Sequence, residues 1–559
     1  MFRRLRLSPD VPTAAGAPSL SRVRPAALLW APPGLWFWPA LLAFVLGGYH
    51  VGRPELWRDE IATWSAATRS PGELLDMLHN VDAVSGAYYF TMHYWIALFG
   101  DSPVSLRAPS VLAVTGAAAL VALSTKKLFG GPAGLSAGLL FAMVPAVSRY
   151  AQEARSYALV VLAVTAATWF LLRALEESGR VWPWWCGYAV CVLLAGAFHL
   201  VAVAILAGHA GTVAVRLRRR TWKRALLGYC LAATAAAAGL LPIVLAGQRQ
   251  ASRQISWILT PKPMDLAHAL PSIFGTEDIE RALLAAAVVA CLHRATRAAS
   301  LQVVLLAVLP LLAVWFLSQG SSSYWTERYL LFTVPAWTML AGAGIAALAG
   351  SAVRMRAGKR VPDGKGEPAP DGNGEPDGNG ERVPDSGGKR ASGGVRLAGT
   401  LLRRALCPAL LIAVGVVVLP SQTSLRAVTS HDPRDLKGTA ELLAADYRPG
   451  DAIVPPRGGA SYLMLDLGLR YYLPRSDRMR DVFVQTDAVR LNDFFALECP
   501  VPADCLGSDP RVWVVAVGES PDPYAGLSPA QAEALKSRYT PVRTSHAGGL
   551  TLTLLARGQ

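Results

Sequence analysis

Three short runs in an otherwise apolar sequence carry residues able to do acid–base and anion chemistry. The first is Glu55-Leu-Trp-Arg-Asp59-Glu60, followed by His79-Asn-Val-Asp82 and then by Tyr88, Tyr89 and His93. Adjacent carboxylates directly after an apolar run are costly beside a bilayer and tend to be functional there. Such a carboxylate could deprotonate a hydroxyl or, with Asp82 and His79, ligate a divalent ion. The plainer alternative is an interfacial loop whose acids pair with Arg53 and Arg58.

The second run is Arg149-Tyr150-Ala-Gln152-Glu153-Ala-Arg155-Ser156-Tyr157. On a helix Tyr150, Glu153 and Tyr157 would share one face and Arg149 would pair with Glu153 four residues on. The alternative is a cation aimed at a phosphate, with aromatic walls beside it. The third run, Tyr324-Trp-Thr-Glu327-Arg328-Tyr329, reads either as an aromatic belt with a snorkelling arginine or as a further part of the same site.

What must position these runs is a membrane domain. The chain has 559 residues, 52% hydrophobic and only 17% charged, with a mean hydropathy of +0.33. Its apolar residues gather in runs near 35–51, 104–124, 133–148, 157–175, 182–198, 200–217, 225–247, 281–293, 301–318, 329–350 and 397–419. These predict about eleven transmembrane helices and exclude a soluble enzyme, a coiled coil and a fully disordered chain. The first run has arginines before it and no small-residue cleavage site after it, so it is expected to stay as a span.

The net charge is +15, with only nine lysines. Its basic residues fall in alternate loops, at Lys126-Lys127, Arg173 with Arg180, Arg216 to Arg224, Arg294 with Arg297, and from Arg354 onward. This pattern is expected of cytoplasmic loops and not of a nucleic-acid-binding stripe. It predicts a cytoplasmic N-terminus and an extracytoplasmic C-terminus. All three chemistry-bearing runs then fall on the outer side, where one shared site would bind something anionic and something hydroxylated.

The expected organisation is a cytoplasmic tail at 1–33 and a transmembrane domain at 34–350 with its first outer loop at 52–103. A Gly/Pro/Asp-rich disordered cytoplasmic loop follows at 351–396, then a last transmembrane helix at 397–420 and an extracytoplasmic α/β domain at 421–559. In that last domain Asp451–Val454, Asp481–Val484, Arg511–Val517 and Thr551–Leu555 read as strands, and Leu436–Tyr447 and Ser528–Tyr539 as helices. Cys499 and Cys505, in a polar segment, read as a disulfide of an oxidising compartment. The other five cysteines lie in or beside apolar runs and read as packing residues.

The motifs Trp57-Arg-Asp-Glu60, Tyr88-Tyr-Phe-x-x-His93-x-Trp95, Leu106-Arg-Ala-Pro-Ser110, Tyr150-Ala-Gln-Glu-Ala-Arg-Ser-Tyr157 and Glu327-Arg-Tyr-Leu-Leu331 occur in that order. Together they resemble the GT-C membrane glycosyltransferases, and among these the family 39-like protein mannosyltransferase and aminoarabinose transferase group in its actinobacterial form. The resemblance covers about 35–350. It implies a polyprenyl-phosphate-linked sugar donor, an acceptor that is an envelope glycan, lipid or protein, an inverting transfer, and a catalytic aspartate that maps to Asp59. The chain departs from many relatives in having Ser85-Gly-Ala-Tyr-Tyr89 where they carry Pro-Pro-Leu-Tyr-Tyr.

On this reading Asp59 is the base and Glu60 supports its orientation or charge. Arg155, Arg328, Tyr157 and Glu153 face the donor phosphate, and His79, Asp82, Tyr88 and His93 face the acceptor. A divalent metal at Asp59, Asp82 and His79 is left open. Two other functions fit a polytopic chain: a transporter or lipid flippase, and a non-catalytic envelope scaffold. Spans almost free of charge and halves that do not correspond argue against the first.

Overall fold

The computed structural model describes residues 34–176, 179–216, 222–357 and 390–558. The expected tail at 1–33 lies outside the described residues, as does 358–389 of the expected disordered loop. The two ends of that loop are helical, because the flanking helices run on to Ala357 and begin at Arg390.

Each of the eleven apolar runs forms helix, but their lengths differ. Among the described residues six helices are long and apolar enough to cross a bilayer: Pro103–Phe129, Tyr157–Ala174, Trp222–Gln254, Arg297–Leu317, Glu327–Ala349 and Ala405–Ser424. A seventh span forms if Gly131–Met143 and Pro145–Ala151, bent by 61° at their junction, count as one. Pro145 lacks the N–H that would carry the helix through that junction. The remaining apolar helices, Phe37–Gly48, Trp182–Phe198, Leu200–Val215 and Glu277–Leu292, have 12 to 17 residues. At 1.5 Å per residue each is shorter than the roughly 30 Å of a hydrocarbon core. Among the described residues, six or seven of the eleven runs are thus long enough to cross by length and composition alone.

The elements that carry the site are named in chain order: α1 (Phe37–Gly48), α2 (Arg58–Ala67), α3 (Pro71–Asn80), α4 (Gly86–Phe99), α5 (Pro103–Phe129), α6 (Gly131–Met143), α7 (Pro145–Ala151) and α8 (Tyr157–Ala174). Asp59 and Glu60 stand in the first turn of α2, where exposed N–H groups favour negative charge. Helix α3 opens with a Ser70–Glu73 capping box and Pro71 at its first position. Helix α5 starts at a Ser102 cap and ends with Lys126 and Lys127.

A C-terminal α/β domain follows the last long helix. Its sheet contains β1 (Ala452–Val454), β2 (Arg480–Asp481), β3 (Arg511–Val517), β4 (Tyr539–Ala547) and β5 (Leu550–Arg557) in the order β2-β1-β3-β5-β4. Strand β1 is parallel to β2 and β3, and the other pairs are antiparallel. Strand β4 and the helix Leu465–Tyr472 were not expected from the sequence. Strand β4 is a largely exposed edge with a register shift at Pro541–Arg543, so it lacks the apolar alternation that marks a strand. Cys499 and Cys505 are disulfide-bonded.

The membrane helices touch through small residues. A Cβ on Gly344 would lie 1.8 Å from the Ala286 carbonyl oxygen, whereas one on Gly48 would meet nothing within 4 Å. Close approach of backbones at small residues is the usual source of helix contact in lipid. Gly344→Ala is therefore expected to destabilise the detergent-solubilised protein by about 1–3 kcal/mol, read as a lower thermal unfolding midpoint, with Gly48→Ala as the neutral control. Equal midpoints for the two variants would show that this contact does not set the packing.

Candidate active site

The site is built around a carboxylate that solvent does not reach. Glu60 and Arg107 are both 0% exposed, and Arg107 Nε and Nη2 donate to the two Glu60 oxygens at 2.8 and 2.7 Å. The remaining Arg107 hydrogens go to the carbonyls of Val51 and Pro54, both at 2.8 Å, and Glu55 at 3.1 Å. All five guanidinium donors are thus used, and they gather the chain between α1 and α2 over the start of α5. Glu60 also accepts from the Ala154 N–H at 2.7 Å.

That last bond explains why the run at 149–157 departs from the helix expected for it. Helix α7 stops at Ala151 and α8 starts at Tyr157. Between them, Glu60 takes the N–H of Ala154, Thr63 donates to the Ala154 carbonyl at 3.0 Å, and Ser110 donates to the Glu153 carbonyl at 2.7 Å. Gln152 donates back to the carbonyls of Gly47 and Tyr49. Backbone groups that would bond within a helix are satisfied by α2, α5 and the end of α1 instead. Tyr150, Glu153 and Tyr157 therefore do not line one helical face, although the Arg149–Glu153 ion pair does form, at 3.1 Å.

Asp59, one residue before the anchor, points to a different set of partners. Its Oδ2 lies 3.2 Å from Arg328 Nη1 and its Oδ1 3.3 Å from Arg58 Nε. Arg155 Nη1 lies 3.4 Å from the Asp59 carbonyl oxygen and 3.5 Å from the Tyr89 hydroxyl, which donates to Asp82. Among the described residues the Nε groups of Arg155 and Arg328 are buried and have no hydrogen-bond partner. Aromatic rings wall this pair of cations: Arg155 stands 6.0 Å from the Tyr157 ring, and Arg328 stands 5.3 Å from Trp257 and 5.7 Å from Tyr329. His199 packs 4.2 Å from Tyr329. Two guanidiniums with spare donors beside a carboxylate can hold an anion and accept a proton in one place.

Asp59, Asp82, Arg155, Arg328 and Tyr157 are thus brought together. His79 is exposed at the end of α3, and His93 Nδ1 is 2.9 Å from the Ala67 carbonyl at the far end of α2. Tyr88 is buried, and its hydroxyl has no partner among the described residues. Among the described residues no three His, Cys, Asp or Glu side chains are grouped where they could hold a metal ion. Reading the sequence passed over Tyr89, Trp257, His199 and Tyr329 as site residues. The Tyr88-Tyr89 pair was visible, but not which ring faced Asp82.

Two comparisons identify the scaffold. Residues 87–245 match the family model described as dolichyl-phosphate-mannose-protein mannosyltransferase. Crystal structures of ArnT from Cupriavidus metallidurans superpose over nearly the whole length. The apo form has a TM-score of 0.56 at 14% identity, covering 95% of this chain and 98% of that one. The form bound to undecaprenyl phosphate has a TM-score of 0.58 at 13% identity, covering 92% and 97%. This is a GT-C fold. No curated protein sequence matches the chain.

Within this GT-C fold the C-terminal α/β domain is clamped onto the segment between α1 and α5. Tyr472 accepts from the Leu56 N–H at 2.8 Å, Tyr471 donates to the Asp101 carbonyl at 2.8 Å, and Arg69 donates to the Asp493 carbonyl. Leu467 and Phe494 enter the core formed by α2, α3 and α4. From the segment leading into that domain His431 reaches Glu60, with Nδ1 3.5 Å from Oε2. Sequence reading did not single out His431.

The same surroundings set opposite protonation behaviour for two buried acids. Burial alone would raise Glu60, but the charge and hydrogen bonds of Arg107, with His431, hold it down at about 2. Glu153 is pushed up to about 7 by burial, opposed by Arg149 and reinforced by Glu60 and Asp59. Glu55 is also raised to about 7, by burial and by Asp435. A carboxyl raised above its unfolded value binds a proton more tightly when folded, so stability falls as pH rises from about 4.5 to 7. Glu60 acts in the other direction, and its contribution is lost only as pH falls below 4.5 toward 2. Glu153→Gln is expected to flatten part of the decline in unfolding midpoint between pH 5 and 8, leaving the part due to Glu55. A slope identical to wild type would show that Glu153 does not titrate in that window.

Proposed function

We propose that the protein transfers a sugar from a polyprenyl-phosphate donor to a hydroxyl of a cell-envelope acceptor on the outer face of a plasma membrane, inverting the anomeric centre. The observation that carries this reading is the Asp59 carboxylate set beside the part-unsatisfied guanidiniums of Arg155 and Arg328. The family match over 87–245 and the fold shared with a structure that holds undecaprenyl phosphate support a lipid-linked donor.

The donor phosphate enters between Arg155 and Arg328 and competes with Asp59 for Arg328. Losing that partner leaves the Asp59 carboxylate free to accept the proton of the acceptor hydroxyl. The hydroxyl oxygen attacks the anomeric carbon, and the bond from that carbon to the phosphate oxygen breaks on the opposite face. The phosphate leaves with the electron pair, and the guanidiniums stabilise the charge that develops on it. Asp82, through the Tyr89 hydroxyl, holds Arg155 from behind. Tyr157, Tyr329 and Trp257 give the sugar or the first isoprene unit an apolar wall. Mannose or a pentose suits this arrangement equally, and Glu153, tied to Arg149, acts from behind the site.

Asp59→Asn removes the charge while keeping size. Turnover with a labelled polyprenyl-phosphate sugar is expected to fall by about 10²- to 10⁴-fold, with donor binding largely kept. Arg155→Ala is expected to raise the donor KM more than it lowers kcat, because it removes a charge-assisted contact to phosphate. Wild-type turnover in Asp59→Asn would refute the base assignment.

A further inference from the structure

The outer domain has a second cavity, about 270 Å³ in volume, away from the charged cluster around Asp59. Its walls come from Ile453 and Pro455 at the end of β1, from Asp481 at the end of β2, and from the helix Leu465–Tyr472. It therefore lies at the carboxyl ends of the parallel pair β1 and β2. Side chains on the loops leaving parallel strands converge at that end of the sheet.

The charges around the cavity are unevenly balanced. Inside it Arg457, 9% exposed in its side chain, is matched by Asp481, by Asp466 at 3.1 Å and by Glu498 at 3.7 Å. Asp487 pairs with Arg490. The lining acids Asp466, Asp481 and Asp487 thus all have cationic partners. Arg470 and Arg478 also line the cavity, and among the described residues neither has an ion pair or a hydrogen bond to an acid. Arg478 is held below its ordinary value by partial burial and by the charges of Arg470 and Arg475. Two like charges at one largely apolar cavity repel each other, and an anion between them relieves that repulsion.

We infer that this cavity binds an anionic sugar unit of the acceptor, a phosphate- or carboxylate-bearing ring, with its charge between Arg470 and Arg478 and its hydroxyls toward Arg457, Asp466 and Asp481. The volume leaves room for a monosaccharide. The helix that builds the wall also ties it to the chemistry. Asp466, Leu469, Arg470 and Leu473 face the cavity, while Tyr471 packs 5.2 Å from Trp64 of α2, the helix that carries Asp59. That the ligand is the acceptor rests on the glycosyl-transfer reading. The binding itself does not.

The test is isothermal titration of the full-length protein in detergent with glucose 6-phosphate, glucuronate, glucose and inorganic phosphate, at low salt. Saturable binding of glucose 6-phosphate or glucuronate, weaker for glucose and for phosphate alone, is expected. It should fall by about tenfold or more in the double variant Arg470→Gln/Arg478→Gln, whose unfolding midpoint should match wild type because both side chains are exposed. Whichever anionic sugar binds more tightly identifies the anion. Binding that survives in the double variant would assign it to the Arg155–Arg328 site and overturn the inference. So would equal binding of glucose, equal binding of inorganic phosphate, or no binding of either anionic sugar. Because the readout is binding, failure here leaves the transfer reaction standing, and failure of the transfer reaction leaves this result interpretable.

Discussion

The Glu60–Arg107 pair fixes everything around it. A bidentate ion pair with no solvent access is an expensive object: each charge loses its hydration, and only complete hydrogen bonding restores the balance. Here that completeness is also the means of assembly. To satisfy five arginine donors and one carboxylate, the structure must bring together three carbonyls between α1 and α2, the start of α5 and the backbone of Ala154. The loop at 152–156 is held open by the same bonds. Arg155 is consequently delivered to Asp59 on a non-helical segment, with part of its guanidinium unused.

Two adjacent acids thereby take opposite roles for a geometric reason. Successive residues on a helix point about 100° apart, so anchoring Glu60 inward turns Asp59 toward Arg328 and the aromatic wall. Neither role follows from residue type alone. The first-turn position in α2 suits both carboxylates, and it is the burial of one that frees the other for chemistry. His431 brings the C-terminal domain to the same anchor, so α2 is braced on one side by Arg107 and on another by the clamp at Tyr471, Tyr472 and Phe494.

What the sequence made legible is what is local. Each apolar run marked a helix of the membrane part, the Ser528-Pro529 start gave a capped helix in the C-terminal domain, and Cys499 and Cys505 lay close enough to pair. The motif residues Asp59, Arg155 and Arg328 could be grouped because all fall on one side of the predicted topology. What was not legible depends on partners far apart in the chain. The break at 152–156 is caused by Glu60, Thr63 and Ser110, and the walls of the site come from Trp257, His199 and Tyr329 on separate elements. Tyr150, Glu153 and Tyr157 keep helical spacing in sequence while long-range hydrogen bonds take the helix away.

The division of labour between Asp59 and Glu60 is open to one direct measurement: the unfolding free energies of Glu60→Gln and Asp59→Asn compared side by side in the same detergent at neutral pH. Losing the charge of Glu60 leaves Arg107 buried without its counter-ion, a loss of about 3–5 kcal/mol. Losing the charge of Asp59 removes only part-exposed pairs with Arg58 and Arg328, a change within about 1 kcal/mol. A marked loss for Glu60→Gln beside near-wild-type stability for Asp59→Asn is the predicted result. Equal effects, or the greater loss at Asp59, would contradict the account.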